Sequence, residues 1–210
     1  MWARHRGRDG ECVPARWWLT AGPAGWVAYD LEDCRLGWRL SEQVAPLVTG
    51  RGTAEEQASL QAAFAALAAA RVAVAERRPA DARELLGAAS PAGLPPGHRV
   101  QWELTLAGIE LAASDPDAAL RHLDAADAIR PGTPATDALR ATALHRLGRW
   151  AEASAAATRY VELLGPDPRV SFVLVNSLRQ QGYAAAADIA LEAARREFPD
   201  DAELRRLGGP

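Results

Sequence analysis

Four histidines, two cysteines and scattered carboxylates are the side chains from which this sequence could build acid–base, nucleophilic or metal chemistry. They do not converge along the chain. His5, His98, His122 and His145 lie in four different segments, and none has a second His three or four residues on. That spacing is what puts two imidazoles on one helical face for a metal. His122 and Asp124 are two residues apart and point different ways on a helix. Cys12 and Cys34 are too few for a zinc site without clustered histidines, and their spacing is open between a disulfide and two reduced thiols. Cys34 follows Glu32 and Asp33, whose charge disfavours a thiolate, so it makes a poor nucleophile. The chain contains no Lys, which excludes G-x-x-x-x-G-K-[ST], and neither G-x-S-x-G nor H-E-x-x-H occurs. The expectation is a protein with no catalytic residues, no metal ligands and no cofactor.

Composition narrows the partners. The 210 residues are 49% hydrophobic and 24% charged, with a formal net charge of -3. That is a folded chain with no global field to draw it to nucleic acid. The basic start, Arg4, Arg6 and Arg8, is offset by Asp9 and Glu11. The most apolar run, Ala62 to Ala75, falls short of the roughly 20 residues a membrane span requires and is interrupted by Arg71. No apolar leader follows the first arginines. No membrane insertion and a cytoplasmic location are therefore expected. Scarce Asn and Ile beside abundant Ala, Arg, Gly and Pro fit a GC-rich bacterial genome.

Chemistry being absent from the motifs, the elements that would present a binding surface become the question. The chain changes character near Thr49-Gly50-Arg51-Gly52. Residues 1–50 are rich in Trp, Gly and Pro; residues 51–200 are Ala/Leu/Arg/Glu runs broken by Pro and Gly; residues 201–210 form a tail or short capping helix. Ala, Leu, Arg and Glu lose little side-chain freedom in a helix. Helices are predicted over 54–76, 79–89, 98–113, 116–130, 135–147, 150–164, 168–181 and 183–197, in four pairs whose short connections make neighbours antiparallel. The pairs are self-similar. Ala82, Ala119, Ala153 and Ala186 recur in the second helices, Ala89, Ala126, Tyr160 and Ala193 follow seven on, and Pro131, Pro166 and Pro199 close the last three units.

These residues resemble tetratricopeptide repeats, with the clearest unit from Val100 to Gly132. The resemblance implies an all-α, right-handed α-solenoid of about four antiparallel helix pairs. Small residues let the helices approach closely, and the closing Pro stops each unit. Glu110 and Arg140 stand where the family has aromatic and Leu residues, and the first pair lacks a turn glycine. The resemblance also implies an inner groove lined by Gln101, Leu104, Thr142, His145, Arg146, Arg169, Phe172, Asn176 and Arg179. Leu111 and Gln180 fall at further positions of this kind. The carboxy-terminal half of such a groove is cationic with one apolar anchor, suited to an acidic segment or a free C-terminus.

Five of the seven Trp lie in residues 1–50. Trp17-Trp18-Leu19-Thr20 and Trp26-Val27-Ala28-Tyr29-Asp30-Leu31 read as two strands about a Gly/Pro loop, and 37–48 as a short helix. A lone hairpin is marginal in water, so it is expected to pack on the first repeat. Trp17, Trp18, Trp26 and Trp38 either form a partner patch or cover the open end of the array, the second being favoured.

The function expected is an adaptor or assembly factor holding another protein or peptide. The alternatives are an enzyme-associated subunit with a ligand site in the Trp-rich segment, and a secretion-type chaperone.

Overall fold

A computed structural model describes residues 2–6, 12–23, 25–33, 38–42 and 53–207. The Trp-rich segment is more than a hairpin. Strands β1 (Trp2–Arg6), β2 (Cys12–Gly22), β3 (Gly25–Asp33) and β4 (Trp38–Arg39) form one antiparallel sheet in sequential order. The predicted two strands are β2 and β3, with Gly22 facing Gly25 across the turn. Trp18 pairs with Asp30 but Leu19 with Ala28, so Tyr29 is the extra residue of a bulge. Cross-strand pairing of Arg16 with Glu32, Glu32 with Arg39, and Trp18 with Asp30 places these five residues on one face. The side chains of Cys12 and Cys34, and any pairing between them, lie outside the described residues, as does most of the helix expected over 37–48, of which residues 40–42 are helical.

The remainder is helical: α1 (Ala54–Ala75), α2 (Pro79–Gly87), α3 (Pro96–Ala112), α4 (Pro116–Ile129), α5 (Pro134–Arg146), α6 (Trp150–Leu164), α7 (Pro168–Gln180), α8 (Ala184–Glu197) and α9 (Ala202–Arg206). Every predicted helix is present within two residues at each end, and the tail supplies α9. The starts follow from sequence. Thr53 accepts the Glu56 amide while the Glu56 carboxylate takes the Thr53 amide, a complete capping box. Asp115, Asp167 and Asp201 cap α4, α7 and α9 in the same sense, and proline occupies the first turn of α2, α3, α4 and α7.

The turn inside each pair has one geometry. Arg77, Ser114, Gly148 and Gly182 all have positive φ, at 59°, 65°, 71° and 81°. In each, the following amide reaches back five residues: Arg78 to the Ala73 carbonyl, Asp115 to Glu110, Arg149 to Leu144 and Tyr183 to Leu178, at 2.8–2.9 Å. This is the double-bonded helix stop that satisfies orphan carbonyls. The first pair, without a turn glycine, makes the turn with Arg77.

The turns also correct the repeat register. Five residues beyond each lie Ala82, Ala119, Ala153 and Ala187, all fully buried, whereas the expected Ala186 is exposed. Seven further on, Ala194 is buried and the expected Ala193 exposed. In an alanine run the sequence pattern slips freely by one; the turn fixes it.

The chain divides into two compact units, Met1–Ala135 and Thr136–Pro210, with the sheet belonging to the first. In unit 1 the core is Ala63, Leu67, Ala70, Ala73, Ala82, Leu86, Leu94, Trp102 and Ile109. Among the described residues the sheet meets these helices through β4 and α3, the first helix of the second pair. In unit 2, Val175, Ala187, Leu191 and Ala194 close over Leu204 of α9. Helix α1 extends the apolar run back to Ala54 and, at 22 residues, is long and apolar enough by length and composition to cross a membrane. Ala63, Leu67, Ala70 and Ala73 on one side of it belong to the core.

Candidate interaction surfaces

Helix α7 presents Arg169, Phe172, Asn176 and Arg179 at spacings of three, four and three, one face of a helix. Arg169 is exposed, and Phe172, Asn176 and Arg179 are partly so. Asn176 donates its side-chain amide to the Phe172 carbonyl at 3.0 Å, within its own helix. Arg179 is committed to its own chain: it donates to the Leu207 carbonyl at 2.5 Å and pairs with Asp188 at 3.3 Å. It therefore anchors the C-terminal segment, a role the sequence did not disclose because Leu207 is 28 residues away.

Helix α5 contributes Thr142, His145 and Arg146. Thr142 bonds back to the Ala138 carbonyl of its own helix at 3.1 Å, and Arg146 is exposed. His145 Nδ1 lies 2.9 Å from the Ser177 hydroxyl of α7 and its ring stands edge-on to Trp150, at 4.9 Å between centroids. Burial lowers the His145 pKa, so the ring is neutral near pH 7. A serine within hydrogen-bond reach of a histidine is nucleophile–base geometry. Ser177, however, is fully buried, and the Gln181 amide reaches its carbonyl, Ser154 and the Trp150 carbonyl. The pair joins α5 to α7. In unit 1, Gln101 and Leu104 are 5% and 8% exposed, so neither offers the open lining expected of it.

The Trp residues part company in the sheet. Trp26 is 76% exposed, near Val27 at 51% and Tyr29 at 63%. It covers nothing. Trp17 and Trp18 are half-buried, and the Trp18 ring takes the Arg39 guanidinium at 4.2 Å and that of Arg16 at 5.5 Å. The Trp38 side chain lies outside the described residues.

Sequence reasoning missed a polar cluster in unit 1. Glu32 is 2% exposed and lies 3.5 Å from Arg16; burial raises its pKa against the pull of Arg16, Arg130 and Arg39. Asp30 moves the other way: its burial is outweighed by the hydroxyl and amide of Ser41, the Leu31 amide and the Arg39 charge. Glu42 pairs with Arg130, 88 residues on, and sits against Gly97 in the first turn of α3. Next to it in sequence, His98 is 2% exposed against the Phe64 ring, neither ring nitrogen has a hydrogen-bond partner, and burial alone takes its pKa down to about 4. The only early signal was an acid after the Trp-rich stretch and a lone Arg before Pro131. Among the described residues, no group of three or more His, Cys, Asp and Glu could hold a metal.

No protein-family model matches the chain, and no curated protein and no solved structure matches it either.

Proposed function

We propose that this chain is a protein–protein interaction module, an adaptor or assembly factor built as a right-handed α-solenoid of the tetratricopeptide type. The four equivalent turns at spacings of 37, 34 and 34, each followed by a fully buried alanine, support the repeat reading. The observation that carries the binding reading is the exposed face of α7. There Phe172 is a half-buried apolar anchor, with exposed Arg169 one turn before it. The partner is a peptide or protein segment with carboxylates, whose bidentate pairing with Arg169 accompanies burial of an apolar side chain on Phe172. Arg179, engaged with Leu207 and Asp188, is excluded from first contact. Binding, and not catalysis, is the proposed role.

The test is affinity purification from the native host with wild type and an Arg169→Glu/Phe172→Ala variant whose circular dichroism matches. Loss of a wild-type partner on the variant supports the α7 face. Retention of that partner overturns it. The exposed Trp26, Val27 and Tyr29 then favour the second reading, a partner surface on the sheet, and Trp26→Ala is the variant to purify next.

A further inference from the structure

Helices α5, α7 and α9 begin at residues 134, 168 and 202, in equal steps of 34. Yet α7 runs for 13 residues and α9 for 5. Just past the end of α7, Gln181 reaches α6, donating to Ser154 and to the Trp150 carbonyl. Asp188 stands 34 residues on from Ser154, in α8, and its side chain is 71% exposed. α9 therefore fills only part of the seat it occupies. Leu204 is its one fully buried side chain, among Val175, Ala187, Leu191 and Ala194, with Phe198 and Leu207 partly buried beside it. A helix of this length is not stable by itself in water. Two arginines hold its main chain. Arg195 of α8 donates to the Leu204 carbonyl at 3.0 Å and to the Arg205 carbonyl at 2.6 Å, and Arg179 of α7 donates to the Leu207 carbonyl at 2.5 Å.

We propose that α9 is a built-in competitor: it closes the carboxy-terminal end of the α7 face, and an acidic partner segment gains the whole face by displacing it. The inference rests on the α7 reading and adds its regulation. Arg179 lies on the same helical line as Arg169 and Phe172, so the Leu207 carbonyl stands at the end of the line a partner would follow. The acceptors that α9 offers to Arg179 and Arg195 are neutral carbonyls. A carboxylate in their place brings a charge and a second oxygen, and so bidentate pairing. The other partner of Arg179, Asp188 at 3.3 Å, is an exposed contact of little strength. The short tether through Phe198–Asp201 gives α9 an effective concentration on the order of millimolar. A segment lying along the line from Arg169 to Arg179, about 15 Å, offsets that advantage with contacts to Arg169 and Phe172.

The probe is an amidated, fluorescein-labelled peptide of one leucine flanked by glutamates, with glutamines in place of the glutamates as its control. Binding to the full chain is read by fluorescence anisotropy at low salt. Leu204→Asn removes the buried anchor without adding charge. Arg195→Gln removes two of the three carbonyl bonds and alters none of the buried cluster. Wild type is expected to bind weakly and Leu204→Asn about tenfold more tightly, because apparent affinity scales with the open fraction of the site. Arg195→Gln moves in the same direction by less, since it also removes a cation. Arg179→Ala cancels the gain in the Leu204→Asn chain. Amide exchange is expected to quicken at Leu204 and Leu207 in both released chains and to stay unchanged in α7. Equal affinity of wild type and both released chains overturns the competitor role and leaves the α7 reading standing. An equal gain for the glutamine peptide overturns the acidic partner. Binding that survives Arg169→Glu/Phe172→Ala, or no binding by any form at about 1 mM, overturns the α7 reading and this inference with it.

Discussion

The carboxylate of Glu42 occupies the space beside the Cα of Gly97 where a methyl group would have to stand. The same carboxylate pairs with Arg130, and both side chains are more than four-fifths buried. Gly97 is thus the residue whose missing side chain lets a segment at the end of the sheet reach the start of α3. Replacing glycine by alanine in a helix ordinarily stabilises by roughly 0.5–1 kcal/mol. Here Gly97→Ala displaces Glu42 and separates a buried charge from its partner, at about 1–3 kcal/mol. The expected outcome is a net loss of stability in urea unfolding, with faster amide exchange in β2 and β3. A gain would mean that Glu42 relocates without loss.

Arg77 and Ser114 hold a left-handed backbone that glycine adopts at no steric cost, as Gly148 and Gly182 do in the equivalent turns. Arg77→Gly and Ser114→Gly are each expected to stabilise by about 0.5–1 kcal/mol, less the extra chain entropy glycine brings to the unfolded state. Gly148→Ala and Gly182→Ala are expected to destabilise by about 1 kcal/mol. Chemical denaturation of the four variants checks the sign at each turn.

The one-residue correction in the last helix pair has an energetic signature. Ala187 is fully buried and Ala186 exposed. Ala187→Leu forces extra methylene groups between α7 and α8, a cost of about 1–3 kcal/mol. Ala186→Leu is expected to stay within about 0.5 kcal/mol of wild type. Equal effects in thermal melts would return the register to the one expected from sequence.

His98 sets the direction of acid sensitivity in unit 1. Its pKa of about 4 in the folded protein lies below the ordinary 6.5, because burial disfavours the charged ring. As pH falls below about 6.5 the unfolded chain takes up a proton that the folded chain refuses. Stability is therefore lost between pH 6.5 and about 4, by on the order of 3 kcal/mol, and levels off below. His98→Leu is expected to flatten that limb of the stability–pH curve. An unchanged slope would place the sensitivity elsewhere, with the carboxylates.

The helices were legible because their determinants are local. Proline and aspartate at the starts, positive-φ turns at the stops and long Ala/Leu/Arg/Glu runs between are read within a few residues of where they act. So were the two central strands. The outer strands, β1 and β4, escaped. β1 is mostly basic, with Arg4, His5 and Arg6 in its five residues, and β4 spans only Trp38 and Arg39, so neither offers a run of alternating hydrophobics.

The candidate surfaces divide the same way. Residue type and helical spacing placed Arg169 and Phe172 on one face of α7. Whether each position meets water was beyond them: Gln101 and Leu104 carry the same spacing and are buried.

What the sequence by itself determined is the succession of helices, their caps and the recurrence of one turn, since those depend on backbone sterics and neighbours within a few residues. The tertiary structure alone decided which arginines remain available, which alanine of a run is the packed one, and that Glu42 closes on Gly97 and Arg130. Each of these depends on groups tens of residues apart, whose approach is set by how helices pack rather than by any spacing along the chain.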